Sequence, residues 1–532
     1  MADQTVDLGS GASQTGESVV SAFKDKAQPY AYYALFLLVI ANFFNYIDRQ
    51  IVTIVAQAIK ADLGLTDAQL GFLMGTAFAV LYGVVGLSMG RISDAISRTK
   101  LMAAGLALWS AMTALCGFAV NFAGLAAARI GVGIGEAAAN PCSHSLLSDY
   151  FPARNRSAVF GTYMLGTHFG GATSLFLGGV ILEHWGDLCQ RLPSGACGVA
   201  NWQAAFLAVG IPGVLLALLV AGLREPPRPR LEPAVSVGRV VTREMSAAVP
   251  PFTLFNLFQI GGWPATVRNL VLAGVVIIAA TAVGALTGDW PQWIAVGIGV
   301  YSVTTWGQVL SRRDRPLFKL TFGCPTFALM LAGAATMACF SGTVHMWAIP
   351  YAMRELAIAP SKVGLFLGLA SAVSSALAVI IGGLLTDRWK RRDVRAPIWV
   401  GMISLLGPIP ALVVMLQTTD FGVFVAGYFT FTLLCMGWAG GFGALVQDLV
   451  LPRMRGTASA AFSLVIILVA SGIGPYWAGK ISSLSGSLTT GLYSMLALVP
   501  VSAGIFLLAA ARLKHESPET RRARARAAGE AL

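Results

Sequence analysis

The chain has 532 residues, 56% of them hydrophobic and 12% charged, about half the charged share of a soluble domain. Its apolar residues come in blocks of about 20, the length that crosses a bilayer as a helix. A soluble enzyme is therefore excluded, and an all-α polytopic membrane protein is implied. The net charge of +12 would suit nucleic acid only if it were gathered in one patch. Instead, Lys and Arg crowd into alternate loops: Arg91 to Lys100, Arg154/Arg156, Arg224 to Arg243, Arg312 to Lys319, Arg388 to Arg395, Arg453/Arg455 and the tail from Arg512. This positive-inside pattern predicts cytoplasmic N- and C-termini in a plasma or bacterial inner membrane, and no nucleic-acid partner.

Residues 1–29 are polar, with neither the apolar core nor the cleavage site of a signal peptide, and read as a disordered cytoplasmic lead. Six apolar segments follow, near 31–58, 69–90, 101–121, 122–148, 158–182 and 202–223, making an N-terminal six-helix half over 30–223. Cys189 and Cys197 share the loop after the fifth segment, on the side where a disulfide can persist. The other five cysteines lie in or beside spans without metal-ligand spacing.

Arg224-Glu-Pro-Pro-Arg-Pro-Arg230 opens a linker over 224–319. Within it, the aromatic stretch 251–263 reads as an interfacial segment. Two apolar blocks, 269–287 and 291–310, read as an extra transmembrane pair facing lipid as spectators. Six more spans, near 323–352, 361–385, 397–417, 421–449, 457–480 and 487–511, make a C-terminal half over 320–511. About fourteen helices are expected in all, followed by a basic cytoplasmic tail, 512–532. No phosphate-binding Gly-x-x-x-x-Gly-Lys-Ser/Thr, no His-Glu-x-x-His and no Cys-x-x-Cys occurs. ATP-driven transport, a cofactor, a metal and an enzymatic activity are accordingly not expected.

Two segments break the apolar pattern inside spans. Arg129-Ile-Gly-Val-Gly-Ile-Gly-Glu136 carries opposite charges seven residues apart, on one helix face and roughly 10.5 Å apart along the axis. Gly131 and Gly135, one turn apart, offer a strip where another helix packs closely. Asn45-Tyr46-Ile47-Asp48-Arg49-Gln50 holds the second pair. Charges at membrane depth cost at least a few kcal/mol each, so they face partners or water. Adjacent residues point about 100° apart, which suggests Asp48 against Arg129 and Arg49 against Glu136. A packing ion pair is the bland alternative. His144, His168 and His345, the last placed at an outer helix end, read as packing histidines.

The halves also repeat. Gly90-Arg-Ile-Ser-Asp94-Ala-Ile-Ser-Arg98 is echoed by Gly383-Leu-Leu-Thr-Asp387-Arg-Trp-Lys-Arg391, with Asp387 293 residues after Asp94. Asp149-Tyr-Phe-Pro152-Ala-Arg154 is echoed by Asp448-Leu-Val-Leu-Pro452-Arg453, 299 residues on. Parallel halves with a site at their interface are a transporter architecture.

Gly90-x-x-x-Asp94-x-x-x-Arg98 resembles the loop signature of the major facilitator superfamily, and Arg129-x-x-x-Gly-x-Gly with Pro141 resembles its fourth-helix signature. Asn45 to Arg49, Arg129, Glu136 and Asp149 to Arg156 resemble the spinster-like branch, associated with lysophospholipids and sphingosine-1-phosphate moved with proton gradients. The resemblance implies a monomeric, proton-coupled carrier of an amphipathic anionic lipid, working among membrane lipids. Glu136 is then expected as principal proton carrier and Asp48 as the secondary one. Burial and a nearby arginine act oppositely on such a carboxyl, and their balance can bring it within reach of a proton gradient. Arg49 and Arg129 would take the anionic group, and Tyr46, Phe44 and Trp438 would line a slot for the apolar part. Gly90, Asp94, Arg98, Asp387 and Arg391 would form a gate that stabilises the outward-open state by pairing across the halves. Two other readings stand beside this one: an organic-anion or drug facilitator or antiporter, and a non-transporting membrane sensor or scaffold.

Overall fold

A computed structural model describes residues 28–152, 155–191, 196–226 and 237–530. The polar lead up to residue 27, Arg154 and the linker residues 227–230 lie outside the described residues. The described chain is helical. In the first half the helices are α1 (Pro29–Leu63), α2 (Asp67–Ala95), α3 (Arg98–Cys116), α4 (Phe122–Tyr150), α5 (Arg156–Cys189) and α6 (Asn201–Ala221). An amphipathic α7 (Val237–Ala248) leads to the inserted hairpin of α8 (Phe252–Thr287) and α9 (Trp290–Arg313), then a short α10 (Arg315–Leu320). The second half holds α11 (Pro325–Arg354), α12 (Pro360–Lys390), α13 (Ala396–Gln417), α14 (Phe421–Asp448), α15 (Arg455–Ser485) and α16 (Leu488–Leu513), and α17 (Pro518–Ala527) lies in the basic tail.

Local chemistry sets the helix ends. Gly64 closes α1 in the left-handed conformation, φ 62°. Two residues on, the Thr66 hydroxyl accepts from the Gln69 N–H at 3.2 Å while the Gln69 side chain accepts from the Thr66 N–H at 2.9 Å, a reciprocal cap that starts α2. Asn121 caps α4 through the Gly124 N–H, and Asp420 caps α14 through the Val423 N–H, both at 2.8 Å. These two caps stand 299 residues apart, the same offset as the sequence repeat.

Among the described residues, thirteen helices have the length and apolarity of a membrane span. The fourteenth expected span is α9, whose 24 residues are long enough, but which carries Gln292, Ser302, Thr304, Thr305 and Gln308. The aromatic segment 251–263 is mostly helical and continues into α8, bent at Gly262, whose φ of 61° and ψ of −163° suit glycine alone. Its Phe252, Phe255, Phe258 and Trp263 are exposed.

One face gathers both described chain ends: the Arg224 N–H donates to the Tyr30 hydroxyl at 2.8 Å, and Arg453 binds Asp314 at 2.8 Å and Glu530. On the opposite face the two halves are bonded to each other. The buried Asp67 carboxylate, at the start of α2, takes Lys60 at 2.5 Å, Arg354 from the end of α11 at 2.8 Å and the Ser482 hydroxyl of α15 at 2.7 Å. The Ser361 N–H of α12 reaches Glu183 of α5 at 3.2 Å. A methyl group on Gly364 would stand 2.1 Å from the Leu175 carbonyl, so only glycine lets α12 and α5 meet so closely.

The inserted pair is not a lipid-facing spectator. α8 is largely exposed, but α9 lies against both halves. Gln292 joins Thr76 of α2 at 2.7 Å and the Gly472 carbonyl of α15 at 2.8 Å. Asp289, in the turn, pairs with Lys480 at 2.7 Å and accepts from Tyr476 at 2.9 Å. Hydrogen bonds from Asn269 to Thr305 at 2.9 Å and from Tyr301 to Asn269 at 2.6 Å hold the hairpin together. Polar side chains inside an apolar bundle satisfy one another rather than lipid, which is why hydropathy alone misplaced this pair.

Candidate functional site

The four embedded charges converge where α1, α2, α3 and α4 meet. Arg49 Nε donates to Glu136 Oε2 at 2.6 Å, as the charge spacing suggested. Glu136 is fully buried, while the Arg49 side chain stays 19% exposed, so solvent reaches the pair from the arginine side. Tyr46, Phe78 and Tyr82 surround the guanidinium, with ring centroids 5.2, 4.9 and 4.7 Å from its carbon. Such an aromatic cage holds a cation by its ring faces while leaving its N–H groups free to bind an anion.

The second expected pair does not form. Arg129 Nη1 donates to the backbone carbonyl of Asp48 at 3.0 Å. The Asp48 carboxylate turns instead toward Thr113 and Trp109 of α3, and neither of its oxygens closes a hydrogen bond among the described residues. The reason is the roughly 100° between neighbouring side chains on a helix: with Arg49 turned to α4, Asp48 faces α3. Glu136 Oε1, Asn45 Nδ2 and Arg129 Nε are likewise buried without a partner. Groups this costly to leave unmatched gather around one spot.

Helix α4 supplies two of the charges because it is interrupted at 137–138, directly after Glu136. Pro141 lacks the N–H that would continue the ladder, a signal visible in the sequence. Gly135 lets α4 approach α3: a methyl group there would sit 2.6 Å from the Trp109 nitrogen.

The remaining residues spread out. Tyr46 belongs to the arginine cage. Phe44 packs on Phe43, with centroids 5.9 Å apart, and beside Gly213 of α6. Trp438 starts the second segment of α14 and packs edge-on against Phe442 in the other half. Phe78 and Tyr82 were not anticipated, although their one-turn spacing on α2 is legible. His144 packs on Phe160 and Tyr163. His345 is not at a helix end; it lies nine residues before Arg354, roughly 14 Å along α11.

Two basic residues of the gate motifs bond inside their own halves. Buried Arg98 binds Asp149 at 2.5 Å, Glu225 at 2.7 Å and Ser145 at 3.1 Å, tying α3 to the ends of α4 and α6. Lys390 repeats the bond to Asp448 at 2.5 Å. Gly90 borders an exposed Asp94, and Asp387 and Arg391 are exposed. No described ion pair from these residues crosses between the halves. Burial works against the charge of Glu225, but the Thr99 N–H and the Arg98 guanidinium outweigh it and hold the carboxyl below its usual range. In the loop after α12, the Arg395 side chain and N–H hold Asp393 down at about 2. Cys189 and Cys197 are joined in a disulfide.

Two pseudo-symmetric six-helix halves with a charged site between helices define a membrane transporter rather than an enzyme. The Major Facilitator Superfamily profile matches residues 38–475, and the chain belongs to that superfamily. It is 26% identical, over 85% of its length and 84% of the relative's, to an MFS-type efflux pump of Mycolicibacterium smegmatis. It is 25% identical to Protein spinster homolog 1 of Homo sapiens, over 83% of this chain and 71% of the relative. The crystal structure of a bacterial homolog to the human lysosomal transporter Spinster, inward-facing and unoccupied, superposes with a TM-score of 0.71 at 23% identity, covering 93% of this chain and 100% of that one.

Proposed function

We propose that this transporter couples protons to the movement of an amphipathic anion, a lysophospholipid or sphingolipid-like molecule. The observation that carries the proposal is the caged Arg49–Glu136 pair at 2.6 Å, with a second buried carboxylate, Asp48, left unbonded beside it. When Glu136 takes a proton, Arg49 loses its counter-charge and is free to bind an anionic headgroup through the same donors. The Tyr46, Phe78 and Tyr82 rings keep the guanidinium in place during that exchange and offer apolar faces to a lipid chain. When the headgroup leaves, Glu136 returns its proton and the pair closes again. Asp48, beside Thr113 and Trp109, serves as the second proton position, and Arg129 fixes the backbone between the two carboxylates.

The basic residues mark the face bearing the chain ends as cytoplasmic. Bonds through Asp67 and Glu183 shut the opposite face, while on the cytoplasmic side Arg98 and Lys390 bind within their own halves. This supports a state open to the cytoplasm.

The efflux-pump relative favours a second reading, export of an organic anion or drug by the same site without lipid specificity. Uptake into proteoliposomes separates the two, with a labelled lysophospholipid and a small aromatic carboxylate measured in parallel under an imposed proton gradient. Gradient-driven lipid movement that Glu136→Gln reduces at least about tenfold is the expected result. Carboxylate movement alone removes the lipid reading, and unchanged coupling in the variant removes Glu136 as the proton site.

A further inference from the structure

The second half carries a polar group where the first half carries its charges. His345 lies 20 residues after Pro325, the first residue of α11, just as Arg49 lies 20 after Pro29, the first residue of α1. Tyr428 lies 299 residues after Arg129. The offset is a structural one: α14 starts 299 residues after α4, at Phe421 and Phe122, and the first segments of both end 299 residues apart, at Cys435 and Glu136. His345 and Tyr428 therefore occupy the positions of Arg49 and Arg129 in the repeated scaffold, and they are paired too. The Tyr428 hydroxyl is 3.0 Å from His345 Nδ1, and the rings stack at 5.5 Å and 22°.

The other imidazole nitrogen is poorly served. Nε2 has Ser371 Oγ at 3.5 Å and the Tyr428 hydroxyl at 3.4 Å, both long for a hydrogen bond. His345 and Ser371 are both half-buried. A polar row connects it with the charged site. Ser375, one turn from Ser371 on α12, stands 3.5 Å from His168 Nδ1 on α5. The adjacent Thr167 takes a hydrogen bond from Asn42 at 3.0 Å, one turn before Tyr46 on α1.

We infer that His345, Tyr428 and Ser371 form a second, neutral anchor that takes a hydroxyl or carbonyl group of the acidic substrate held by Arg49. The class follows from the donor set. Every buried charged side chain described lies in the first half, so a second acid would find no cation at His345, and an ammonium group would find no carboxylate. A group that donates or accepts one hydrogen bond fits imidazole, phenol and hydroxyl together. The substrate is then an acid that also bears a hydroxyl, ester or amide, long enough to bridge the halves. This inference rests on the transport reading of the Arg49 site, but not on the substrate being a lipid.

The test uses purified full-length protein in detergent and equilibrium binding of two matched pairs of acids. One pair is oleoyl lysophosphatidate and oleyl phosphate, which lacks the glycerol hydroxyl and ester. The other is 4'-hydroxybiphenyl-4-carboxylate and biphenyl-4-carboxylate, which lacks the hydroxyl at the end far from the acid. Wild type is expected to prefer the hydroxylated member of a pair by about tenfold. His345→Phe, Tyr428→Phe and Ser371→Ala should each reduce that preference below about threefold while leaving affinity for the plain acid in place. Should His345→Phe fail to fold, the two milder variants decide.

A preference in the biphenyl pair with no binding of either phosphate would sink the lipid reading and support the anchor. Binding without preference in wild type, or a preference that survives all three variants, overturns the anchor alone. If none of the four acids binds, the anchor and the anion site fall together.

Discussion

The two halves share a scaffold and differ in what they bury. In the first half, Asp48, Asp67, Arg98, Arg129 and Glu136 are all buried, and Arg49 is nearly so. In the second, the matching helices enclose His345, Tyr428 and hydroxyl groups, with no buried charge among the described residues. The caps at Asn121 and Asp420 and the helix breaks after Glu136 and Cys435 show that the backbones match closely. A repeated backbone thus tolerates opposite electrostatics at equivalent positions. A carrier built this way can keep proton chemistry in one half and recognition of neutral groups in the other.

The largest test of that contrast is the stability of equivalent single changes. Arg49→Ala leaves Glu136 buried without its bonded cation and should lower unfolding free energy by about 3–5 kcal/mol. His345→Ala removes one neutral hydrogen bond and should cost less than about 1.5 kcal/mol. Denaturant unfolding in detergent measures both, and equal losses would break the comparison.

A smaller effect is expected where the halves are tied. Asp67→Asn weakens its bonds to Arg354 and Ser482 and should shift the population toward opening on that face by about 1–3 kcal/mol. Labelling of a cysteine introduced at Ala68 would report it as faster modification. Gln292→Ala removes the side chain that touches α2 and α15 at once and should move the same readout in the same direction by about 1 kcal/mol. No change there would return the inserted hairpin to a passive role.

The smallest effect concerns Glu225. Its carboxyl is held below the usual range in the folded chain, so its contribution is present above the unfolded value of about 4.3. That contribution is lost as pH falls through the lower folded value. Glu225→Gln should lower stability near neutrality, where that contribution is present, and flatten the acid limb of the profile below about pH 5.

Much of this was legible in the residues. The apolar blocks, the repeat at Asp94 and Asp387, and the charges at Asp48, Arg49, Arg129 and Glu136 all show in the chain, because bilayer thickness and the cost of buried charge act on composition directly. The partner of Arg49 was legible as well, since helical spacing limits which face it presents. The partner of Asp48 was not: whether a carboxylate meets Arg129, Thr113 or Trp109 depends on the rotation of α1 against α3, which packing sets. The histidines were read as packing because a lone His carries no spacing signal. Only the superposition of two distant helices pairs His345 with Tyr428.

The sequence by itself determined the rough limits of most spans, the twofold repeat and the half that holds the charges, since each follows from the solvent the residues must face. The tertiary structure alone decided that Arg98 and Lys390 bind within their halves, that Asp67 bridges them, and that α9 lies between α2 and α15. Those outcomes turn on distances between segments hundreds of residues apart, where a few ångströms decide which of several suitable partners closes the hydrogen bond.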